Sequence, residues 1–151
     1  MEGFLRPLLK TAGLALEFEV GAGAGMDPSF ERPDVTVEFK GRDLDILLAN
    51  KGELLLALEH VTLEALRARP DEHSRLLFDA NDYRIMRVEE LRLSAETAAE
   101  KVKRTGIPFK FGPMNSRERR IIHLALRNDG SVRTESEGLA PRRQVVIYPA
   151  N

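Results

Sequence analysis

The segment NSRERRIIHLALRND, residues 115–129, combines cations and apolar residues at helical spacing. Arg119 and His123 are four residues apart, so on a helix they lie one above the other. Two charged groups at that spacing repel each other weakly, and a bridging anion removes this cost. Phosphate suits the position, because arginine offers a planar fork of donors and histidine offers a ring nitrogen and a flat face. The pair predicts a phosphate contact; the alternative is that His123 hydrogen-bonds a nearby backbone carbonyl.

The helix that carries this pair is amphipathic. Successive residues about 100° apart place an apolar face at Ile121, Ile122, Ala125 and Leu126, opposite a polar stripe of Ser116, Arg119, Arg120, His123 and Arg127. Asn115 can accept a hydrogen bond from the amide of Glu118, and Glu118 stands where its side chain could reciprocate as a capping box. Burying the apolar face would present the cations outward together.

The charge distribution singles out the same end of the chain. The net charge of −1 by itself argues against a nucleic-acid-binding protein. However, residues 1–100 hold 12 Lys+Arg and 20 Asp+Glu, whereas residues 101–151 hold 11 and 4. Such asymmetry indicates an electrostatic footprint confined to one domain. A solvated basic surface without a partner is the alternative.

Composition excludes several classes of protein. The chain has no cysteine, which excludes disulfides and thiolate metal sites and fits a reducing compartment. No segment approaches the roughly 20 apolar residues of a membrane span, and the N-terminus lacks a signal-peptide pattern. We therefore expect a cytoplasmic protein without membrane insertion.

Catalysis by His123 with Glu135 or Glu137 is disfavoured, because no nucleophile motif and no metal-ligand spacing accompanies it. No cofactor or metal is predicted.

The pattern of elements predicts an α+β protein of two small domains. The first, residues 1–80, is predicted to contain a helix over 2–11, strands over 14–20 and 34–40, two helices over 42–70 interrupted at Asn50-Lys51-Gly52, and a strand over 75–79. The second, residues 82–151, is predicted to contain a helix over 83–104 ended by Gly106, a strand over 107–111, the helix described above, and strands over 131–137 and 143–148. The loop GAGAGMDPSFERP, residues 21–33, departs from the dinucleotide fingerprint and is predicted to join two hairpin strands.

These residues resemble a known family. The R-x-x-x-H pattern in ERRIIH is the signature of the R-three-H single-stranded nucleic-acid-binding domain, although it is weak alone. Together with TESEG (134–138) and RRQVVIYP (142–149), it resembles the C-terminal half of the bacterial SpoIIIJ-associated (Jag) proteins, also called KhpB or EloR. VTVEFKGRDLDILLANKGELLLALEHVT resembles the type II KH domain of that family, in which a hairpin strand leads through a short helix into a G-x-x-G loop and a long helix. The resemblance extends from about Phe4 to Pro149.

The resemblance implies both fold and function. The expected fold is a KH-like domain over 1–80, with a three-stranded sheet and helices, and an R-three-H domain over 82–151, with a three-stranded sheet packed against two helices. The expected function is binding of single-stranded RNA or DNA by a cytoplasmic post-transcriptional regulator linked to cell elongation or division. A small KH-domain protein is the expected partner, and a homodimer is the other assembly considered. Many members also carry an N-terminal Jag domain and linker, neither of which is expected within these 151 residues.

The KH-like loop departs from the family at its first position, because Ala49-Asn50-Lys51-Gly52 replaces G-x-x-G. Glycine frees the local dihedrals and lets a nucleic-acid backbone approach closely, whereas alanine is expected to restrict both. Lys51 supplies a cation within acidic surroundings. Two interpretations stay open: the loop binds RNA, or the KH fold serves dimerisation or partner docking as a scaffold.

The candidate nucleic-acid contacts follow from both domains. They are Arg119, His123, Arg120, Arg127, Asn50, Lys51, Gly52, and Arg142 or Arg143 or both. Phosphate contacts should dominate the affinity, and base preference should come from stacking. With seven Phe, two Tyr and no Trp, specificity should be modest unless Tyr83 or Phe111 lies exposed beside the basic face.

Overall fold

The computed structural model describes residues 1–23 and 32–150. Most of the predicted glycine-rich connection, residues 24–31, lies outside the described residues. The chain forms two compact units, Met1–Ile85 and Met86–Asn151. Each contains helices and one three-stranded sheet, so the predicted α+β class is confirmed. Among the described residues, no helix has the length and apolar composition that a membrane crossing requires.

The first unit packs helices against a mixed sheet. Its elements are α1 (Glu2–Thr11), β1 (Leu16–Ala22), β2 (Val35–Gly41), α2 (Leu44–Ala65), a 3₁₀ helix (Pro70–Arg75) and β3 (Leu76–Asp79). β1 pairs antiparallel with β2, and β2 pairs parallel with β3. The alternating apolar residues of the strands enter one core, in which the Phe39 ring centroid lies 6.0 Å from that of Phe18 and 5.2 Å from that of Phe78.

Helix α2 is interrupted where the sequence predicts a turn. Ala49 has an extended conformation, with φ −61° and ψ 155°, and Asn50, Lys51 and Gly52 follow with φ of 54°, 60° and 71°. Asn50 and Lys51 are exposed, whereas Gly52 is buried. The four residues therefore form a loop between two helical segments, with its polar side chains directed to solvent.

A buried ion pair joins α2 to the end of the first unit. Arg84 Nη2 donates to Glu59 Oε2 at 2.7 Å, and both side chains are 8% exposed. Arg84 Nε also donates to the Phe78 carbonyl at 2.9 Å, and the Phe78 amide donates to the same Glu59 oxygen at 2.7 Å. Removing one partner of such a pair leaves an uncompensated buried charge, which costs about 3–5 kcal/mol. The network therefore fixes α2 against β3.

The second unit contains an antiparallel sheet in the order β4-β6-β5. Its elements are α3 (Tyr83–Thr105), whose first turn contains the division between the units, β4 (Phe109–Lys110), α4 (Ser116–Leu126), β5 (Val132–Glu137) and β6 (Gln144–Pro149). β4 is shorter than the predicted strand over 107–111. Pro108 has no amide hydrogen for a ladder, which fits the late start of the strand. The predicted apolar face of α4 is confirmed, because Ile121, Ile122 and Leu126 are buried.

Candidate nucleic-acid interface

Helix α4 begins with the predicted side-chain cap. Asn115 Oδ1 accepts a hydrogen bond from the Glu118 amide at 2.9 Å. The Glu118 carboxylate, which a capping box would direct back to Asn115, instead pairs with Arg87 of α3: Arg87 Nε donates to Glu118 Oε1 at 2.9 Å. Both of these charged side chains are largely buried, at 9% and 12% exposed. The acidic neighbour of Arg119 in the sequence is therefore neutralised by α3.

His123 is held by two hydroxyl groups of β5. Its Nδ1 lies 2.6 Å from Thr134 Oγ1, and its Nε2 lies 2.9 Å from Ser136 Oγ. Residues two apart on a strand point to the same face, so β5 offers both hydroxyls to one ring. A hydroxyl can donate or accept, so either neutral tautomer is satisfied. The partners are thus side-chain hydroxyls rather than the backbone carbonyl that the sequence suggested as the alternative to phosphate.

The surroundings of His123 favour its neutral form. The ring is half-buried, and this burial lowers its pKa below the ordinary value. The nearby positive charge of Arg119 lowers the pKa further. The ring in the free protein is therefore an oriented neutral imidazole at neutral pH, and it takes up a proton only when the pH falls or an anion arrives.

Arg119 has no counter-ion among residues 1–23 and 32–150. Its side chain has no hydrogen bond or ion pair with any described residue, and its Nε atom is buried. Burial lowers the pKa of Arg119, and the charge of Arg143 adds to that effect. Arg143 itself donates from Nη1 to the Gly138 carbonyl at 2.7 Å. A buried donor without a partner costs about 1–3 kcal/mol.

The side-chain carboxylates of the second unit are all engaged elsewhere. Arg87 pairs with Glu90 and Glu118, Arg92 with Glu89 and Glu96, Lys103 with Glu100 and Asp129, and Arg133 with Glu135, while the Tyr148 hydroxyl donates to Glu137. These eight are the Asp and Glu residues of 86–151. Within the part of the chain that the structure describes, no ion pair therefore neutralises Arg119, Arg120, Arg127, Arg142 or Arg143.

The structure brings together three of the predicted contacts. The charge of Arg143 lowers the pKa of Arg119, and the charge of Arg119 lowers the pKa of His123. We call these three residues the cation cluster. The remaining predicted arginines of this unit are exposed: Arg120 and Arg127 on α4 and at its C-terminus, and Arg142 in the β5–β6 loop.

Thr134 and Ser136 are the site residues that sequence reasoning did not include. They are part of the TESEG segment on which the family resemblance rests. Hydroxyl side chains two residues apart in a predicted strand were the available signal, because that spacing places both on one face. Their pairing with His123 depends on how α4 crosses β5, which no local pattern specifies.

The loop over 49–52 corrects one expectation about Ala49. Its φ of −61° and ψ of 155° are a conformation that any L-residue adopts, so alanine imposes no dihedral restriction there. The left-handed conformations fall on the three residues that follow. Gly52 is the constrained one, because a Cβ atom at its position would lie 2.8 Å from two ring carbons of Tyr83. Contact of Asn50, Lys51 and Gly52 with nucleic acid stays a prediction.

The two aromatic side chains considered as stacking platforms lie elsewhere. Tyr83 packs on the core of the first unit, against Gly52. Phe111 pairs with Phe109, with ring centroids 5.0 Å apart, beside β4. β4 and β5 are opposite edges of the sheet, so Phe111 is not next to the hydroxyls that hold His123. Within residues 1–23 and 32–150, no cluster of three or more His, Asp or Glu side chains is placed to hold a metal ion.

Comparison with known proteins identifies relatives of both halves. The R-three-H domain family model matches residues 89–149. Three similar proteins are each named RNA-binding protein KhpB. The one from Clostridium symbiosum is 39% identical over 114 residues, covering 76% of this chain and 51% of that protein. The one from Lactiplantibacillus plantarum is 33% identical, covering 89% of this chain and 42% of that protein. The one from Bacillus subtilis is 32% identical over 144 residues, covering 92% of this chain and 69% of that protein. The chain thus spans about half the length of the first two relatives.

Proposed function

The chain belongs to the KhpB family, also called Jag or EloR, and from this membership we propose that it binds single-stranded RNA, mainly through its second unit. The cation cluster is the centre of the proposed site. Exposed cations extend it along the nucleic-acid backbone: Arg120, Arg127 and Arg142. The relatives are named RNA-binding proteins, and RNA is for that reason preferred here to single-stranded DNA.

The observation that carries this proposal is the occupation of the carboxylates. In the second unit, four cations and one tyrosine hydroxyl hold all eight acidic side chains. Arg119, Arg120, Arg127 and Arg142 are therefore left without a counter-ion among the described residues, and Arg143 has the Gly138 carbonyl but no carboxylate. Phosphates of a nucleic acid supply the missing negative charge, and binding releases their counter-ions.

Each member of the cluster has a distinct role in this proposal. Arg119 donates to a phosphate through a guanidinium that has no competing partner in the described part of the chain. Arg143 contacts the same phosphate from the β5–β6 loop, and its hydrogen bond to the Gly138 carbonyl stabilises that loop. His123, oriented by Thr134 and Ser136, presents its remaining ring edge and face, and gains a proton as the phosphate raises its pKa. The relatives are named for binding RNA, which supports a binding protein rather than an enzyme.

We assign residues 1–80 to a KH-like domain and residues 82–151 to an R-three-H domain. The order of elements in the first unit supports the former: a hairpin, a short helix, the loop over 49–52, a long helix and a parallel third strand. Direct contact of Asn50, Lys51 and Gly52 with RNA is part of the proposal, with a smaller share of the affinity because the first unit is acidic. A cytoplasmic regulator of elongation or division is the cellular role that we propose.

Partner docking is a second candidate role for the first unit. The observation that favours it is the exposure of large apolar side chains on its helices, Phe4, Ile46 and Val61, and of Leu66 directly after α2. A small KH-domain protein or a second copy of the chain is the proposed partner. Sedimentation of the purified chain, alone and with such a protein, distinguishes a monomer from either assembly.

The proposed function is tested by Arg119→Ala. This change should weaken binding to single-stranded RNA and lower the salt slope of log K by about 0.7, the value of one single-strand phosphate contact. Fluorescence anisotropy at a series of salt concentrations measures both quantities. Arg92→Ala is the matched control, because Arg92 already pairs with Glu89 and Glu96. Equal slopes for the two folded variants would mean that Arg119 does not contact phosphate.

A further inference from the structure

The loop between β5 and β6, residues 138–143, carries the most exposed large apolar side chain in the described chain. Leu139 is 86% exposed. A single exposed leucine is ordinary on a protein surface, so its exposure alone has no functional meaning. Its position is what distinguishes it, because the loop that carries it also contains Arg143 of the cation cluster.

Several hydrogen bonds hold this loop. Arg143 Nη1 donates to the Gly138 carbonyl at 2.7 Å, and the Arg142 amide donates to the Leu139 carbonyl at 2.8 Å. Gly138 has φ +89°, a left-handed conformation that glycine adopts without strain. The Met114 amide donates to the Arg143 carbonyl at 3.1 Å, which ties the loop to the segment before α4. Leu139 is therefore presented on a backbone with a defined shape.

The same hairpin end carries the polar parts of the proposed site. Ser136, which contacts His123, lies two residues before Gly138 at the start of the loop. Arg143, at the end of the loop, acts electrostatically on Arg119. A phosphate at the cation cluster consequently lies next to the loop whose exposed side chain is Leu139.

The aromatic side chains of the second unit are less suited to receive a base at this place. The ring of Tyr148 is covered by the guanidinium of Arg133, with Cζ 4.3 Å from the ring centroid. Its hydroxyl donates to Glu137, whose charge repels phosphate. Phe109 and Phe111 lie at the opposite edge of the sheet from β5.

We propose that Leu139 is a base-contacting residue, which packs against the face of the nucleotide base beside the phosphate held by Arg119 and Arg143. This inference rests on the proposed function and deepens it. The contact buries apolar area on both sides, and it tolerates every base because each base has a flat face. It distinguishes a nucleotide from a bare sugar-phosphate chain, which the cations alone do not.

The test compares a single-stranded oligouridylate with an abasic sugar-phosphate chain of the same length and charge. Leu139→Ala should weaken oligouridylate binding by about threefold to tenfold, as expected for part of a buried leucine side chain. It should leave abasic binding and the salt slope unchanged. Leu139→Phe should restore oligouridylate affinity, because an aromatic ring stacks on a base. Ile107→Ala, which removes another exposed apolar side chain of the second unit, is the matched control.

Two results would overturn the inference while leaving the proposed function intact. One is an equal loss of affinity for both oligomers in Leu139→Ala, which would place its effect on the phosphate contacts. The other is unchanged oligouridylate binding in Leu139→Ala. Failure of the wild-type chain to bind either oligomer would overturn the proposed function itself, and Arg119→Ala would then have no effect to show.

Discussion

His123 lies between two hydroxyl groups and beside a cation, and this placement determines how it responds to protons. Thr134 and Ser136 satisfy both ring nitrogens without providing a negative charge. Arg119 adds a positive charge nearby, and burial withholds water. The burial of the ring and the positive charge of Arg119 both disfavour the imidazolium ion. The ring is therefore ready to gain a proton when a phosphate binds and is neutral before it does.

This arrangement predicts a pH-dependent stability. The unfolded chain binds the proton of His123 at about pH 6.5, before the folded chain does, because the folded-state pKa is lowered. The stabilisation from the neutral ring is therefore complete above about pH 6.5 and is lost as the pH falls toward the lowered folded pKa. Urea denaturation across this pH range should show a steeper decline for the wild type than for His123→Gln. Because His60 and His73 are present in both proteins, the difference isolates His123; parallel declines would contradict the assignment.

The residue scale also shows what sequence could and could not predict. The adjacency of Arg119 and His123 was predictable, because spacing four apart on a helix is a local rule. The position of Arg143 near Arg119 was not predictable, because it depends on how the β5–β6 hairpin packs against α4. The same holds for Thr134 and Ser136. Tertiary packing, rather than periodicity, converts separate motifs into one cluster.

At the scale of elements, the loop within α2 shows how one side chain constrains a backbone. Asn50, Lys51 and Gly52 all have positive φ, and of these only Gly52 is buried. Its packing partner is the ring of Tyr83, which enters the space that a Cβ atom would occupy. The shape of the loop is therefore fixed by a residue much later in the chain.

Gly52→Ala should destabilise the first unit by about 2–4 kcal/mol, the sum of left-handed strain and overpacking against Tyr83. Gly13→Ala is the matched control, because Gly13 has φ +70° but no atom within 4 Å of the added methyl group. That change should cost only about 1 kcal/mol. Hydrogen exchange of buried amides in the first unit measures both free energies. Similar values would show that the Tyr83 ring yields without cost.

Element positions were largely predictable because alternation and helical spacing act within one element. The strand over 107–111 was over-extended, because apolar alternation does not report where ladder partners begin. The expected dihedral restriction at Ala49 is wrong for a different reason. Residue type alone does not report backbone conformation, and Ala49 is extended rather than left-handed.

At the scale of the whole molecule, charge is divided between the two units. Residues 1–85 contain 10 Lys+Arg and 16 Asp+Glu, whereas residues 86–151 contain 13 and 8. The second unit also uses four of its cations to hold seven carboxylates. This pairing leaves the net charge of the second unit unchanged, but it separates the paired carboxylates from Arg119, Arg120, Arg127 and Arg142.

This division predicts unequal contributions to RNA binding. In the full chain, Lys51→Ala should lower the salt slope by less than Arg119→Ala does, because phosphate is repelled by the acidic first unit. Salt titrations of the two single variants and of the double variant measure both contributions. A loss for Lys51→Ala as large as that for Arg119→Ala would place the principal phosphate contacts in the loop over 49–52.

The pairing of the carboxylates has a practical consequence for how the protein behaves on a column. The sequence pI is about 6.3, so the protein as a whole carries a small net negative charge at neutral pH. A sulfated matrix such as heparin, however, contacts only part of the surface, and Arg119, Arg120, Arg127 and Arg142 offer it cations that have no counter-ion among the described residues. Retention then reports the local field rather than the total charge. For this chain, the isoelectric point is a poor guide to purification and to removal of co-purifying polyanions.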